Sequence, residues 1–218
     1  MRTSVLIRPG VIAAGSHARR KKGYIMPDHA LQRLREGNAR FVADKSSLDE
    51  STERRIAVAA AQKPFATVFG CVDSRVSPEL IFDQGLGDLF VIRTAGQVLD
   101  RAVLGSLEFG VVELGLRVLV VLGHEHCGAI KAAMDVLDQH GDAPAEIDYL
   151  VEALAPAVEQ GKQKGGDIWK QAARAQIELT VARLRRVPIM QKAIAAGELK
   201  VVGAWYDLDT GLVEFMTG

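Results

Sequence analysis

The chain has 218 residues, 48% of them hydrophobic, and its 27 basic and 27 acidic side chains cancel to a net charge of zero. That length can bury the core of one α/β domain, and the balanced charge excludes a global basic field for nucleic acid or an anionic membrane. Two cysteines do not make a disulfide framework, and the longest apolar run, around Val111 to Leu122, is broken by Glu113 and Arg117, which argues against a transmembrane helix.

The first 27 residues carry Arg2, Arg8, Arg19, Arg20, Lys21 and Lys22 and no acid before Asp28. Arg8 and Pro9 interrupt any secretory core, and serine is sparse for a transit peptide. The expectation is a disordered extension over residues 1–27, with Met26 as a candidate functional start, a single domain over 28–218 and a cytoplasmic location. Asp28 to Asp44 reads as an amphipathic helix capped by Asp28, with Leu31, Leu34, Phe41 and Val42 as its apolar stripe. Such a leading arm is expected to pack on a partner subunit. Ser51 to Ala61 predicts a short helix.

Phe65 to Gly70 is an apolar run that reads as a buried strand, and Cys71-Val-Asp-Ser-Arg75 follows it. Ser77 and Pro78 open a short helix. Asp88 to Arg93 is the next strand, and Asp100 caps a helix to about Leu114, in which Gly105 and Gly110 permit close packing and Gly115 ends the last turn. Leu116 to Gly123 is a second Val- and Leu-rich strand, followed by His124-Glu-His-Cys127 and a helix to Gln139 ending near His140. Residues 141–166 read as a helix and a loose glycine-containing loop. Asp167 to Arg186 is a long helix, broken at Val187-Pro188 before a short one to Ala196. Leu199 to Tyr206 is a strand whose final Trp205 and Tyr206 are expected at a subunit surface, and Leu212 to Met216 returns antiparallel as an edge. The alternation implies an α/β fold: a mostly parallel central sheet of four strands plus an antiparallel edge strand, with helices on both faces.

Residues at the carboxyl ends of such strands face the crevice where open α/β sheets bind ligands. If the strands before Cys71 and His124 are neighbours, Cys71, His124 and Cys127 converge with Asp73 and Arg75 beside them. Two thiolates and an imidazole with one open position form a catalytic zinc arrangement. Structural cysteines, a hydrogen-bonded histidine and a strand-end salt bridge are the competing reading of the same residues.

Cys71-x-Asp73-Ser-Arg75 followed by Gly123-His124-x-x-Cys127-Gly128 resembles the signature of the β-class carbonic anhydrases. The resemblance runs from about Leu31 to Tyr206. It includes Asn38 to Phe41, Asp88 to Gly96 and Ser106 to Phe109. It implies zinc on Cys71, His124 and Cys127, with water or hydroxide in the fourth position or, at low pH, Asp73. It implies reversible hydration of carbon dioxide to bicarbonate by zinc-bound hydroxide, with Asp73 accepting the hydroxide hydrogen bond and Arg75 holding Asp73 off the metal. Gln62, Phe90, Ala95, Gly96 and Phe109 match the family's substrate-pocket positions. Gln62 and some wall residues would serve the neighbouring subunit's zinc, so a homodimer is implied, assembled in some members into a tetramer or larger. Val68 stands where the branch with a bicarbonate inhibitory site carries Trp, so no such site is expected. His126 reads either as a proton shuttle or as a solvated loop side chain. Alternative readings are a carbonyl sulfide or carbon disulfide hydrolase on the same zinc, a non-catalytic zinc- or bicarbonate-binding protein, and a redox protein using the two cysteines.

Overall fold

Strands β1 (Ala66–Cys71) and β3 (Val118–His124) are buried along their entire length. Their unbroken apolar runs suit strands covered on both faces. The computed structural model describes residues 25–216, so the extension expected over 1–27 falls almost wholly outside the described residues. β2 (Leu89–Thr94), β4 (Lys200–Tyr206) and β5 (Val213–Met216) complete one sheet in the order β2-β1-β3-β4-β5. The first four strands pair in parallel and β5 pairs antiparallel with β4, as the sequence predicts.

The helices are α1 (Pro27–Val42), α2 (Thr52–Val58), α3 (Pro78–Ile81), α4 (Arg101–Val112), α5 (Gly128–Gln139), α6 (Ile147–Lys164), α7 (Ile168–Arg185) and α8 (Pro188–Ala195). They enclose two cores, one on each face of the sheet. The larger joins Phe69, Leu119 and Val121 to Leu107, Ile130, Leu154, Ile177 and Leu184. The smaller joins Val68, Val120 and Leu122 to Ala30, Leu34, Ile81 and Phe82. Successive residues of β1 and β3 feed alternate cores, which is the period-two alternation of a strand. Side-chain caps at Ser51, Asp100 and Asp167 fix the starts of α2, α4 and α7.

Several expectations need correction. Asp28 does not cap α1: Met26 occupies the cap position without a side-chain bond, and the Asp28 carboxylate pairs with Lys200 instead. Of the expected stripe Leu34 is buried and Leu31 and Phe41 pack partly buried on the smaller core, but Val42 is exposed, and the fully buried face also takes Ala30, Gly37 and Asn38. That face packs on the chain's own domain, against Ile81 and Phe82. A Cβ at Gly37 would lie 1.7 Å from the Phe82 carbonyl oxygen, and Asn38 bonds the carbonyls of Ile81 and Gly211 and the amide of Val213. The helix expected within 141–166 extends over residues 147–164 as α6, packed along α7, and leaves little of the expected loose loop. Trp205 and Tyr206 are buried at 3% and 5% exposure, because β4 lies inside the sheet and its side chains enter the two opposite cores. Gly110 does sit against Leu116 and Phe90, but Gly105 faces open space.

Candidate metal centre

The parallel register places the ends of four strands side by side. Cys71 ends β1 opposite Thr94 of β2, and His124 ends β3 opposite Tyr206 of β4. The amide of Glu125 donates to the Tyr206 carbonyl at 3.0 Å, so β3 stays straight to the histidine. The chain then turns at His126, whose φ of 50° lies in the left-handed region, and Cys127 enters as the residue before α5.

The result is the convergence expected from the two motifs. The donor atoms of Cys71, His124 and Cys127 lie within 4.8 Å of one another, and all three residues are buried. The thiols are free and their sulfurs are 3.9 Å apart. Two sulfurs at about 2.3 Å from a tetrahedral zinc stand about 3.8 Å apart, so the pair is already spaced as ligands. His124 Nδ1 lies 2.8 Å from the Glu125 carbonyl. A carbonyl only accepts, so Nδ1 carries the proton and Nε2 presents a lone pair. Among the described residues that Nε2 is the one buried side-chain nitrogen or oxygen without a hydrogen-bond partner. An orphaned imidazole nitrogen beside two thiols is explained by a cation between them.

The surroundings favour ionisation of Cys71 over that of Cys127. The hydrogen bond from Cys127 draws the Cys71 thiol down to about 4, helped by His124 and by the amides of Asp73 and Gly96, against the opposing effect of burial. Cys127 is pushed up, first by donating to Cys71 and then by burial. A divalent cation would displace that remaining proton and bind both sulfurs as thiolates.

Asp73 and Arg75 form the expected dyad. Arg75 Nε and Nη2 donate to Asp73 Oδ1 and Oδ2 at 3.0 and 2.8 Å, and the Arg75 amide adds a third bond at 3.0 Å. This fork holds the Asp73 carboxyl down at about 2. The carboxylate is therefore an anion turned onto Arg75, beside the three-donor set rather than in it. Arg75 Nη2 also reaches the His126 carbonyl at 3.3 Å, which ties the two motifs together.

The other expected site residues divide into two groups. Ala95 and Gly96 form a 3-10 turn directly after β2, and the Gly96 amide points at Cys71 Sγ at 3.4 Å. Gln62, Phe90 and Phe109 lie elsewhere. Gln62 is exposed in the segment that leads into β1, and Cys71 lies at the far end of that strand. Phe90 is level with Thr67, roughly 13 Å below the Cys71–Thr94 pair. Phe109 of α4 stacks on Phe90 with ring centroids 6.5 Å apart and is 48% exposed. These three residues stand at the opposite end of the strands from the chain's own metal centre.

Three contributors were not anticipated from sequence. Arg93 of β2 donates to the carbonyls of Cys71 and Asp73 at 2.8 and 2.7 Å. Trp169 of α7 donates from Nε1 to the Cys127 carbonyl at 2.9 Å and packs its ring 5.0 Å from that of His126. Gln176, also of α7, donates to the Gly96 carbonyl at 3.2 Å. For Arg93 the available signal was a charge inside an otherwise apolar strand; for the other two, aromatic and amide groups on a helix whose buried face is mostly alanine and aliphatic.

A family model described as carbonic anhydrase matches residues 66–213. The chain is 44% identical over 187 residues to carbonic anhydrase 2 of Mycobacterium tuberculosis, covering 85% of this chain and 90% of that one. It is also 44% identical over 191 residues to a carbonic anhydrase of Mycolicibacterium smegmatis, covering 86% and 92%. Among solved structures, the Coccomyxa β-carbonic anhydrase in complex with acetazolamide superposes with a TM-score of 0.66 at 28% identity, covering 86% of this chain and 88% of that chain.

Proposed function

This chain belongs to the β-carbonic anhydrase family, and from that premise we propose that it hydrates carbon dioxide reversibly to bicarbonate and a proton on zinc held by Cys71, His124 and Cys127. The observation that carries this reading is the Cys71–His124–Cys127 cluster, with its orphaned imidazole nitrogen and ligand-spaced sulfurs, set beside an ionised Asp73. When bound, zinc would lower the pKa of a coordinated water to about 7 and so supply hydroxide near neutrality. The protein's part is positional. Asp73, fixed by Arg75, would accept a hydrogen bond from the attacking water and aim its lone pair at the carbon of the substrate. Arg75 keeps the carboxylate charged and turned off the metal ligands. Arg93 pins the backbone of Cys71 and Asp73, so the motif cannot unwind from the strand end.

The substrate wall is proposed to come from a second copy. β2 is the open edge of the sheet and is half-buried at every position, and α4 packs on it with Phe109 and Val112 exposed. A two-fold axis that sets two such edges antiparallel brings the lower end of one β2 beside the upper end of the other. Gln62, Phe90 and Phe109 of each chain would then line the partner's site, where the apolar rings suit carbon dioxide and the Gln62 amide suits bicarbonate. A homodimer follows as the smallest active unit.

The test has two parts. Zinc is counted and carbon dioxide hydration is followed by stopped flow on the same reduced sample; the reading requires one zinc per chain and hydration that is lost in Cys71→Ser. Differently tagged Gln62→Ala and Cys71→Ser chains are then co-expressed and the mixed dimer isolated. Each mixed dimer contains one complete site if Gln62 acts across the interface, so hydration returns. Failure to recover activity in a zinc-containing mixed dimer, with the Gln62→Ala homodimer inactive, would show that Gln62 does not act across the interface.

A further inference from the structure

Helix α7 supplies no metal ligand, yet its face toward the sheet carries one buried amide, Gln176, among Ala172, Ala173, Ile177 and Val181. A buried amide in an apolar face is costly unless hydrogen-bonded. Leucine or methionine would fill the same volume, so packing does not require a glutamine there. Its Nε2 donates to the Gly96 carbonyl at 3.2 Å, and because a carbonyl only accepts, the amide nitrogen is the end that faces Gly96.

Gly96 is the residue whose own amide donates to Cys71 Sγ at 3.4 Å. It holds a φ of 60°, and the space beside its Cα is closed by the Leu154 methyls at 3.1 Å and by Ala129. Its carbonyl is therefore anchored to α7 while its N–H is trained on the thiolate. Without Gln176 that carbonyl would sit in the core with no partner, and the short 3-10 turn would be free to rotate toward another donor. Rotation would carry the N–H off the sulfur.

We propose that Gln176 is a positioning residue: through the Gly96 peptide it holds an N–H on the Cys71 thiolate and so limits how much charge that sulfur gives to the bound metal. The inference rests on the zinc reading above. Two thiolates donate more negative charge than imidazoles, which opposes acidification of the coordinated water. An N–H···S bond withdraws part of that charge.

The test uses cobalt as a spectroscopic stand-in for zinc. Thiolate-to-cobalt charge-transfer bands are recorded for cobalt-loaded wild type, Gln176→Met and Thr180→Val. Thr180 is a buried residue one turn further along the same helix and serves as the packing control. Loss of the N–H···S bond raises the energy of the sulfur lone pairs, so Gln176→Met is expected to move the band to longer wavelength while Thr180→Val leaves it in place. Should Gln176→Met not fold, Gln176→Glu keeps the shape and donates only when its introduced carboxyl is protonated. Its band should then shift reversibly with pH over a range where that of wild type is constant. A band that is unmoved in Gln176→Met, or constant with pH in Gln176→Glu, overturns the inference even if the melting temperature falls, and it leaves the zinc reading standing. A wild type that binds no cobalt and no zinc removes both.

Discussion

Replacing Asp73 by Asn separates the roles of charge and shape at the site. The amide is isosteric, so Oδ1 can keep its bonds from Arg75 Nε and the Arg75 amide. At the Oδ2 position, 2.8 Å from Arg75 Nη2, an NH2 group would face another donor. One charge-assisted bond is lost, and with it the negative charge that would accept a hydrogen bond from the attacking water. A positioned acid–base group contributes about 10²- to 10⁴-fold, and because the proposed role of Asp73 is to orient the water rather than to carry the proton away, the expected loss is near the lower end, about 100-fold, or about 2.7 kcal/mol of barrier. The pH dependence sharpens the test. The carboxyl of Asp73 is lowered to about 2, so it stays ionised until the pH falls through that value. It therefore cannot be the group that titrates on an acid limb of hydration near neutrality. Stopped-flow hydration across pH 6 to 9 should show the plateau falling about 100-fold in Asp73→Asn, with the acid limb still present. The melting temperature should change little, since the Arg75 side chain is 53% exposed and solvent screens the pair. If the plateau falls less than about fivefold, or if the acid limb disappears with the carboxylate, Asp73 does not play the part assigned to it.

Gly37→Ala should cost about 3 kcal/mol or more, because the new methyl meets backbone at Phe82 and α1 must lift away from the Asn38 hydrogen bonds; urea unfolding should show a lower midpoint with an unchanged slope. Burial alone would raise the Asp83 carboxyl, but bonds from Ser46, Arg40 and Ser47 outweigh it and hold the group at about 2. A depressed carboxyl contributes stability that is complete above its unfolded value of about 3.9 and is lost as the pH falls toward 2. Asp83→Asn should accordingly cost about 2 kcal/mol at pH 7 and flatten the decline of stability between about pH 4 and 2, as read by denaturant titration at each pH. Trp169→Phe keeps a ring beside His126 and removes the bond to the Cys127 carbonyl; chelator competition should show zinc held about tenfold more weakly, with normal hydration by the fully loaded enzyme.

The sheet and the Cys71–His124–Cys127 cluster were legible because their signals are local. Two Val- and Leu-rich runs ending in Cys71 and His124 announce buried parallel strands, and the strand ends decide where those side chains converge. The Asp100 and Asp167 caps were equally readable. A helix was expected in this region, but its full length was not, because Pro156 and Gly161 look like breakers. In the fold Pro156 is on the exposed side, and Gly161 is where α7 comes closest: a Cβ there would lie 2.6 Å from the Ala172 amide nitrogen. The glycine that suggested a loop is what lets the two helices touch. Asp28 looked like a cap because nothing in the local sequence reveals that Lys200, far along the chain, competes for it.

The same distinction runs through the site. Cys71, Asp73, Arg75, His124 and Cys127 meet through their side chains, and side-chain types are what a sequence displays. Arg93, Trp169 and Gln176 act by donating to main-chain carbonyls, 22, 42 and 80 residues away respectively. Every residue has a carbonyl, so the acceptor leaves no mark in the sequence, and only the fold pairs it with its donor. The side chains specify which metal and which reaction the site suits. The donors fix how rigidly Cys71, Cys127 and Gly96 present themselves to that metal. A chain could therefore retain both motifs intact and still lose metal affinity or shift its ligand chemistry through changes on α7. The consequences of Trp169 and Gln176 substitutions are thus separable from those at the motif: the former should alter how the metal is held, and the latter whether it is held at all.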